Sequence, residues 1–124
     1  MEVIRNVPAD RPHIQRYRGG GFAISGVRYN GSVLVTPARA TTWPEWNFTR
    51  VDAAALVSAL ADAKVGLCLF GCGERMAPVP VGLRQALKEA GIAADSMITA
   101  AACRTFNMMM GEGRTAAALL SPLP

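Results

Sequence analysis

The segment TAAACRTFNMMMGEGR, residues 99–114, gathers the chain's most reactive side chains. Cys103, Arg104, Thr105 and Asn107 stand together in an otherwise apolar stretch, and the first acidic residue after them is Glu112. A guanidinium offers five donors and keeps its charge, so Arg104 needs either a structural network or an anionic partner. A second group, Gly71-Cys72-Gly73, follows the apolar run Val65–Phe70. If the two groups close adjacent strands of one sheet, Gly71, Cys72, Gly73, Cys103, Arg104, Thr105 and Asn107 line one anion-accepting crevice. The plainer reading has Gly71 and Gly73 forming a tight turn and Arg104 bridging backbone carbonyls.

The cysteines invite a nucleophile or a redox pair. Arg104 and a helix N-terminus would both favour a Cys103 thiolate. Yet the single histidine, His13, is distant in sequence, and nucleophilic catalysis normally needs a base. A small buried thiol is the simpler role for Cys103, and Cys68 sits within an apolar strand. Cys72 is a loop residue that could meet Cys103 in space. The cysteine spacing fits neither zinc nor an iron–sulfur cluster, so no metal and no cofactor is expected. No two carboxylates stand as an acid–base pair. The balance favours a binding protein over an enzyme, with no catalytic residue assigned.

The elements that must position these groups follow from periodicity. The chain has 124 residues, half of them apolar, with a net charge of +4. That suits one globular domain over residues 13–124, behind a loose arm over residues 1–12. His13–Tyr17, Phe22–Ile24, Val27–Tyr29 and Ser32–Thr36 read as strands of an antiparallel meander, with Asn30-Gly31 as a hairpin turn. A helix capped by Thr49, with Asp52 three residues on in a capping-box position, carries an apolar stripe of Ala54, Leu56, Val57, Leu60 and Ala61. A buried strand over Val65–Phe70 is followed by a helix opened by Pro80 and closed by Gly91. A strand within Ile92–Ile98 and a helix from Thr99 to Met110 complete the pattern, and residues 114–120 suit either helix or strand. The prediction is an α/β domain with a mixed sheet, in which helices cover parallel β–α–β units.

Several classes are excluded. Arginines are scattered, and aromatics are not interleaved with them, which argues against nucleic acid. The first residues lack the apolar core of a secretory signal, and no apolar run reaches membrane-spanning length. Three free thiols point to a reducing, cytoplasmic setting. Trp43, Trp46 and one of Met108-Met109-Met110, taken as Met109, are candidate anchors for a protein partner. The sequence does not specify an oligomeric state.

From Ile14 to Leu120 the chain resembles a family of small α/β proteins that includes the mitochondrial NADH dehydrogenase (complex I) assembly factor 3. The resemblance rests on Gly21-Phe22, Gly31–Val35, Trp43-Pro44, LFGCG at 69–73, and ACRTFN at 102–107 followed by Glu112-Gly113-Arg114. Cys72, Ala100 and Phe106 depart from the family's threonine, glycine and tyrosine. The resemblance implies a three-layer fold with a mixed central sheet and a final strand over 114–120. It also implies a protein partner, such as subunits of the respiratory complex, and a role in assembly.

Overall fold

Ser25 and Gly26 both take positive φ, 49° and 84°, and join two strands in a two-residue turn. The turn matches the right-handed twist of a hairpin. It links β2 (Gly21–Ile24) to β3 (Val27–Asn30), and β1 (Ile14–Arg16) pairs with the other edge of β2. These strands form a three-stranded antiparallel sheet. The computed structural model describes residues 11–124. Most of the arm expected over residues 1–12 lies outside that span. Arg11, by contrast, donates to the carbonyl of Arg114 at 2.7 Å, and Pro12 is buried.

The hairpin expected at Asn30-Gly31 is corrected. The chain leaves the first sheet there, and β4 (Val33–Val35) enters a second sheet, paired with β5 (Ala40–Thr42) and β8 (Ala116–Leu120). Glycine is still needed, because Gly31 has φ +79°. The reason for the switch is burial. Every residue of β4 is buried, with Val33 and Val35 on one face and Leu34 on the other, whereas a terminal meander strand would leave one face wet. β5 was not anticipated from the sequence. Only its β-branched Thr41 and Thr42 hint at it.

The second sheet is mixed, in the order β5-β4-β8-β6-β7. β6 (Leu67–Gly71) runs parallel to both β7 (Ala93–Met97) and β8. Helix α1 (Ala53–Ala63) is capped by Asp52 and not by the expected Thr49: Asp52 Oδ1 accepts the Ala55 N–H at 3.0 Å, whereas the Thr49 hydroxyl donates to Asn47 Oδ1. Leu56 and Leu60 are its buried residues, and Ala54 and Ala61 of the expected stripe are exposed. Helix α2 (Val81–Glu89) buries Leu83 and Leu87. Both helices pack on one face of the sheet, against Leu34, Cys68, Phe70, Ala117 and Leu119.

Helix α3 (Thr99–Gly111) covers the other face together with the three-stranded sheet. Ala102, Cys103, Phe106, Met109 and Met110 fall on one stripe at helical spacing. They meet Phe22, Ile24, Leu69, Ala118 and Leu120. Alternate residues of β8 serve the two faces, and all five are buried. The result is three layers within a single α/β domain: α1 and α2, the mixed sheet, then α3 with the small sheet.

Candidate functional site

The parallel strands β6, β7 and β8 end side by side, and Thr99 ties their ends together. Its buried hydroxyl donates to the Ser121 carbonyl at 2.7 Å and accepts the Gly73 N–H at 2.8 Å. Its own N–H donates to the Gly73 carbonyl at 2.9 Å. Ser121 N–H closes on the Gly71 carbonyl, also at 2.9 Å. Gly71 is glycine because a Cβ there would meet Leu120 Cδ2 at 2.8 Å and Thr99 Cα at 3.2 Å. Gly73 turns the chain at φ +82°. The backbone of Gly73 thus uses the first N–H of α3, which the crevice reading reserved for an anion.

A cavity of about 370 Å³ opens at the carboxyl ends of β6 and β8. Trp46, Phe48, Cys72 and Ala77 form its walls, and Asn47, Thr49 and Ser121 complete the lining. None of these residues is charged. Trp46, Phe48 and Phe70 meet edge to face, with centroids 5.3–5.8 Å apart. The Trp46 indole N–H is buried without an acceptor among the described residues. Asn47 Oδ1 is occupied by the backbone and hydroxyl of Thr49, at 2.9 and 2.6 Å.

The thiols are neutral. Burial pushes Cys103 up to about 12, outweighing the opposing effect of the adjacent Arg104. Burial likewise raises Cys68 to about 12. Cys72 is raised by burial too, against the lowering effect of backbone hydrogen bonds at Ala77 and Met97. Cys103 belongs to the α3 face of the sheet and Cys72 to the α1–α2 face, so the sheet stands between them. The geometry gives Cys103 the setting of a small core thiol and keeps Cys72 apart from it. Among the described residues, no three His, Cys, Asp or Glu side chains group as metal ligands.

The expected cluster therefore divides. Cys72 lines the cavity, and Gly71 and Gly73 shape the strand ends beside it. Arg104 is exposed and donates to the Tyr17 hydroxyl at 3.5 Å. Asn107 clamps β1: Ile14 N–H donates to its Oδ1 and its Nδ2 donates to the Ile14 carbonyl, both at 2.8 Å. Its amide is committed to the fold, not to a ligand. Thr105 is half-buried on α3. Trp46 and Met109 are buried, 5% and 8% exposed, so neither is a free anchor. Trp43 is half-buried against the α1–α2 core. The methionine that faces outward is Met108.

A basic group not expected from the sequence stands on the small sheet. Arg16 lies opposite Ala23, and Ala23 opposite Arg28, across the three-stranded sheet. Its inner face carries Ile14, Phe22 and Ile24, so the two arginines share the outer face. Arg16, Tyr17, Arg18 and Arg28 line a shallow hollow. Arg28 is held by the Gly19 carbonyl at 2.7 Å and Asn30 Oδ1 at 3.1 Å. The ion pairs among the described residues are Arg50–Glu45 and Arg114–Glu112, and neither involves this face. Strict alternation would put Arg16 on the face of Ile14; a register shift between the two in β1 sets Arg16 opposite Ala23 instead, and local spacing does not mark that shift.

The relatives of the chain share this frame. An uncharacterised protein of Rhodobacter capsulatus is 37% identical over 111 residues, 90% of this chain and 85% of its own. The human NADH dehydrogenase [ubiquinone] 1 alpha subcomplex assembly factor 3 is 28% identical over 126 residues, 100% of this chain and 68% of its own. A solved structure from Bartonella henselae, titled an outer membrane protein, superposes with a TM-score of 0.83 at 30% identity, covering 96% of this chain and 100% of that one. The Rpa2829 protein of Rhodopseudomonas palustris gives 0.76 at 31% identity, covering 99% and 91%. The model of a family described as proteins of unknown function (DUF498/DUF598) matches residues 14–121, which takes in every strand and helix described above, and the chain belongs to that family.

Proposed function

We propose that the protein is a non-enzymatic binding factor that assists assembly or maturation of a membrane protein complex such as respiratory NADH dehydrogenase, acting from the cytoplasm. The observation that carries this reading is the alignment with NADH dehydrogenase assembly factors, which extends over the whole chain. Neutral thiols support a binding role over a catalytic one. No described helix is long and apolar enough to cross a membrane, so such a factor would meet the complex through its surface.

The surface best suited to that contact is the outer face of the small sheet. Arg16 and Arg28 stand about 10 Å apart across the middle strand, with only Ala23 between them. Guanidiniums on such a flat, small-residue platform suit an acidic protein surface, with Arg18 and Arg104 on the rim. Met108, exposed on α3, would add apolar contact.

Deletion of the protein tests the reading. Cells without it should make the subunits of NADH dehydrogenase but accumulate less assembled complex on native gels. Normal levels of assembled complex would contradict the proposal.

A further inference from the structure

We infer that the hollow formed by Arg16, Tyr17, Arg18 and Arg28 on the small sheet binds a small phosphate-bearing solute, a diphosphate or a phosphate monoester. The hollow measures about 410 Å³. Three guanidiniums line it, and no carboxylate among the described residues does. An ordinary solvated face mixes both signs of charge. Like charges gathered in one concavity repel, and an anion seated among them relieves that repulsion. Arg28 is fixed before any ligand arrives. Its Nε donates to Asn30 Oδ1 at 3.1 Å, its Nη1 to the Arg18 carbonyl at 3.4 Å and its Nη2 to the Gly19 carbonyl at 2.7 Å. One N–H on each terminal nitrogen is left for a ligand.

Backbone shape sets the loop that holds Arg28. Gly19 and Gly20 take φ +81° and +80°, and the Gly20 N–H anchors the loop on the Leu123 carbonyl at 2.7 Å. Arg16 stands across Ala23 from Arg28, about 10 Å away, so its long side chain can reach the same anion. Tyr17 links the hollow to Arg104, whose Nη1 donates to the Tyr17 hydroxyl at 3.5 Å. Planar guanidiniums match phosphate oxygens two at a time, and several positive charges suit a multivalent phosphate better than a monovalent carboxylate. A lipid headgroup carries the same phosphate. The hollow lacks the apolar side chains that anchor a protein at a bilayer, which favours the solute. The site lies on the face that the assembly reading gives to an acidic partner. Its binding is measured on the purified protein alone, so failure of either reading leaves the other intact.

The test titrates pyrophosphate and acetate, at equal ionic strength, into the ¹⁵N-labelled full chain. Pyrophosphate should shift the amide signals of Arg18, Gly19 and Gly20 saturably, and acetate should bind at least tenfold more weakly. Arg28→Lys keeps the charge but loses the planar fork. It should weaken pyrophosphate about tenfold, as loss of one charge-assisted hydrogen bond does. Arg16→Gln, at an exposed position, should weaken it comparably without touching the Gly19 loop. Arg75→Gln removes one charge from an exposed arginine in the turn after β6 and should leave the affinity unchanged. The inference fails if pyrophosphate gives no saturable shift at these amides, if acetate binds as tightly, or if Arg75→Gln weakens binding as much as Arg16→Gln. It also fails if the protein sediments with phosphatidic acid vesicles but does not bind pyrophosphate, which would make the ligand a membrane.

Discussion

Asn107 on α3 and Ile14 on β1 exchange two hydrogen bonds, each 2.8 Å long, between one side-chain amide and both backbone groups of one residue. The pair fastens the small sheet to the helix beneath it and satisfies the backbone of a buried edge-strand residue. Asn107→Ala leaves both Ile14 groups without partners. Unfolding in urea should show a loss of about 2–4 kcal/mol. A variant of wild-type stability would mean that the amide serves something other than the fold.

The junction of the parallel strands depends on a missing methyl group. At Gly71, a Cβ would press on Leu120 and on the backbone of Thr99. Gly71→Ala should therefore destabilise by about 1–3 kcal/mol, the usual result of overpacking. Gly73→Ala meets no neighbour but must hold φ +82°, and should lose about 1–2 kcal/mol. Denaturation midpoints distinguish these costs from no effect.

The three methionines of α3 are not equivalent. Met110 is fully buried, and Met108 is 54% exposed. Met110→Ala should cost about 2–5 kcal/mol, as cavity-forming truncations do. Met108→Ala should stay within about 0.5 kcal/mol. Equal losses at the two positions would show that α3 is rotated from the orientation described.

Burial of Cys103 sets a pH dependence. Its thiol is held neutral up to about 12 when folded, against an ordinary value of 9.0. The unfolded chain therefore releases this proton first as pH rises. The stabilising effect is complete below pH 9 and is lost between there and about 12, at about 1.4 kcal/mol per pH unit. Cys103→Ala should flatten the stability profile by that slope in the alkaline range. An unchanged slope would show that the thiol ionises normally in the folded state. Iodoacetamide at pH 8 should also leave native Cys103 unmodified.

Much of the frame was legible because hydrophobic periodicity sees burial. The continuous run before Gly71 marked a strand buried on both faces, and the apolar spacing through Leu56 and Leu60 marked the buried side of α1. Asn30-Gly31 misled because positive φ serves a sheet switch as well as a hairpin, and local sequence does not say which strand comes next. The candidate site was harder to read. Arg104 and Asn107 are three residues apart and both point toward the small sheet, one to Tyr17 and one to Ile14, across 87 and 93 residues of chain. Trp46 joined the cavity, not the surface, because Phe48 and Phe70 close around it. Such long-range packing leaves no mark in local spacing.

The assembly reading centres on the outer face that carries Arg16 and Arg28. The most direct measurement is co-purification of NADH dehydrogenase subunits with tagged protein from gently solubilised, nuclease-treated cells, comparing wild type with Arg16→Glu/Arg28→Glu. Both positions are exposed, so the double variant should fold as the wild type does, with a stability change within about 1 kcal/mol. The account predicts that wild type enriches the subunits and that the folded double variant loses them, more sharply at low salt. Equal enrichment by both proteins, or none by the wild type, would contradict it.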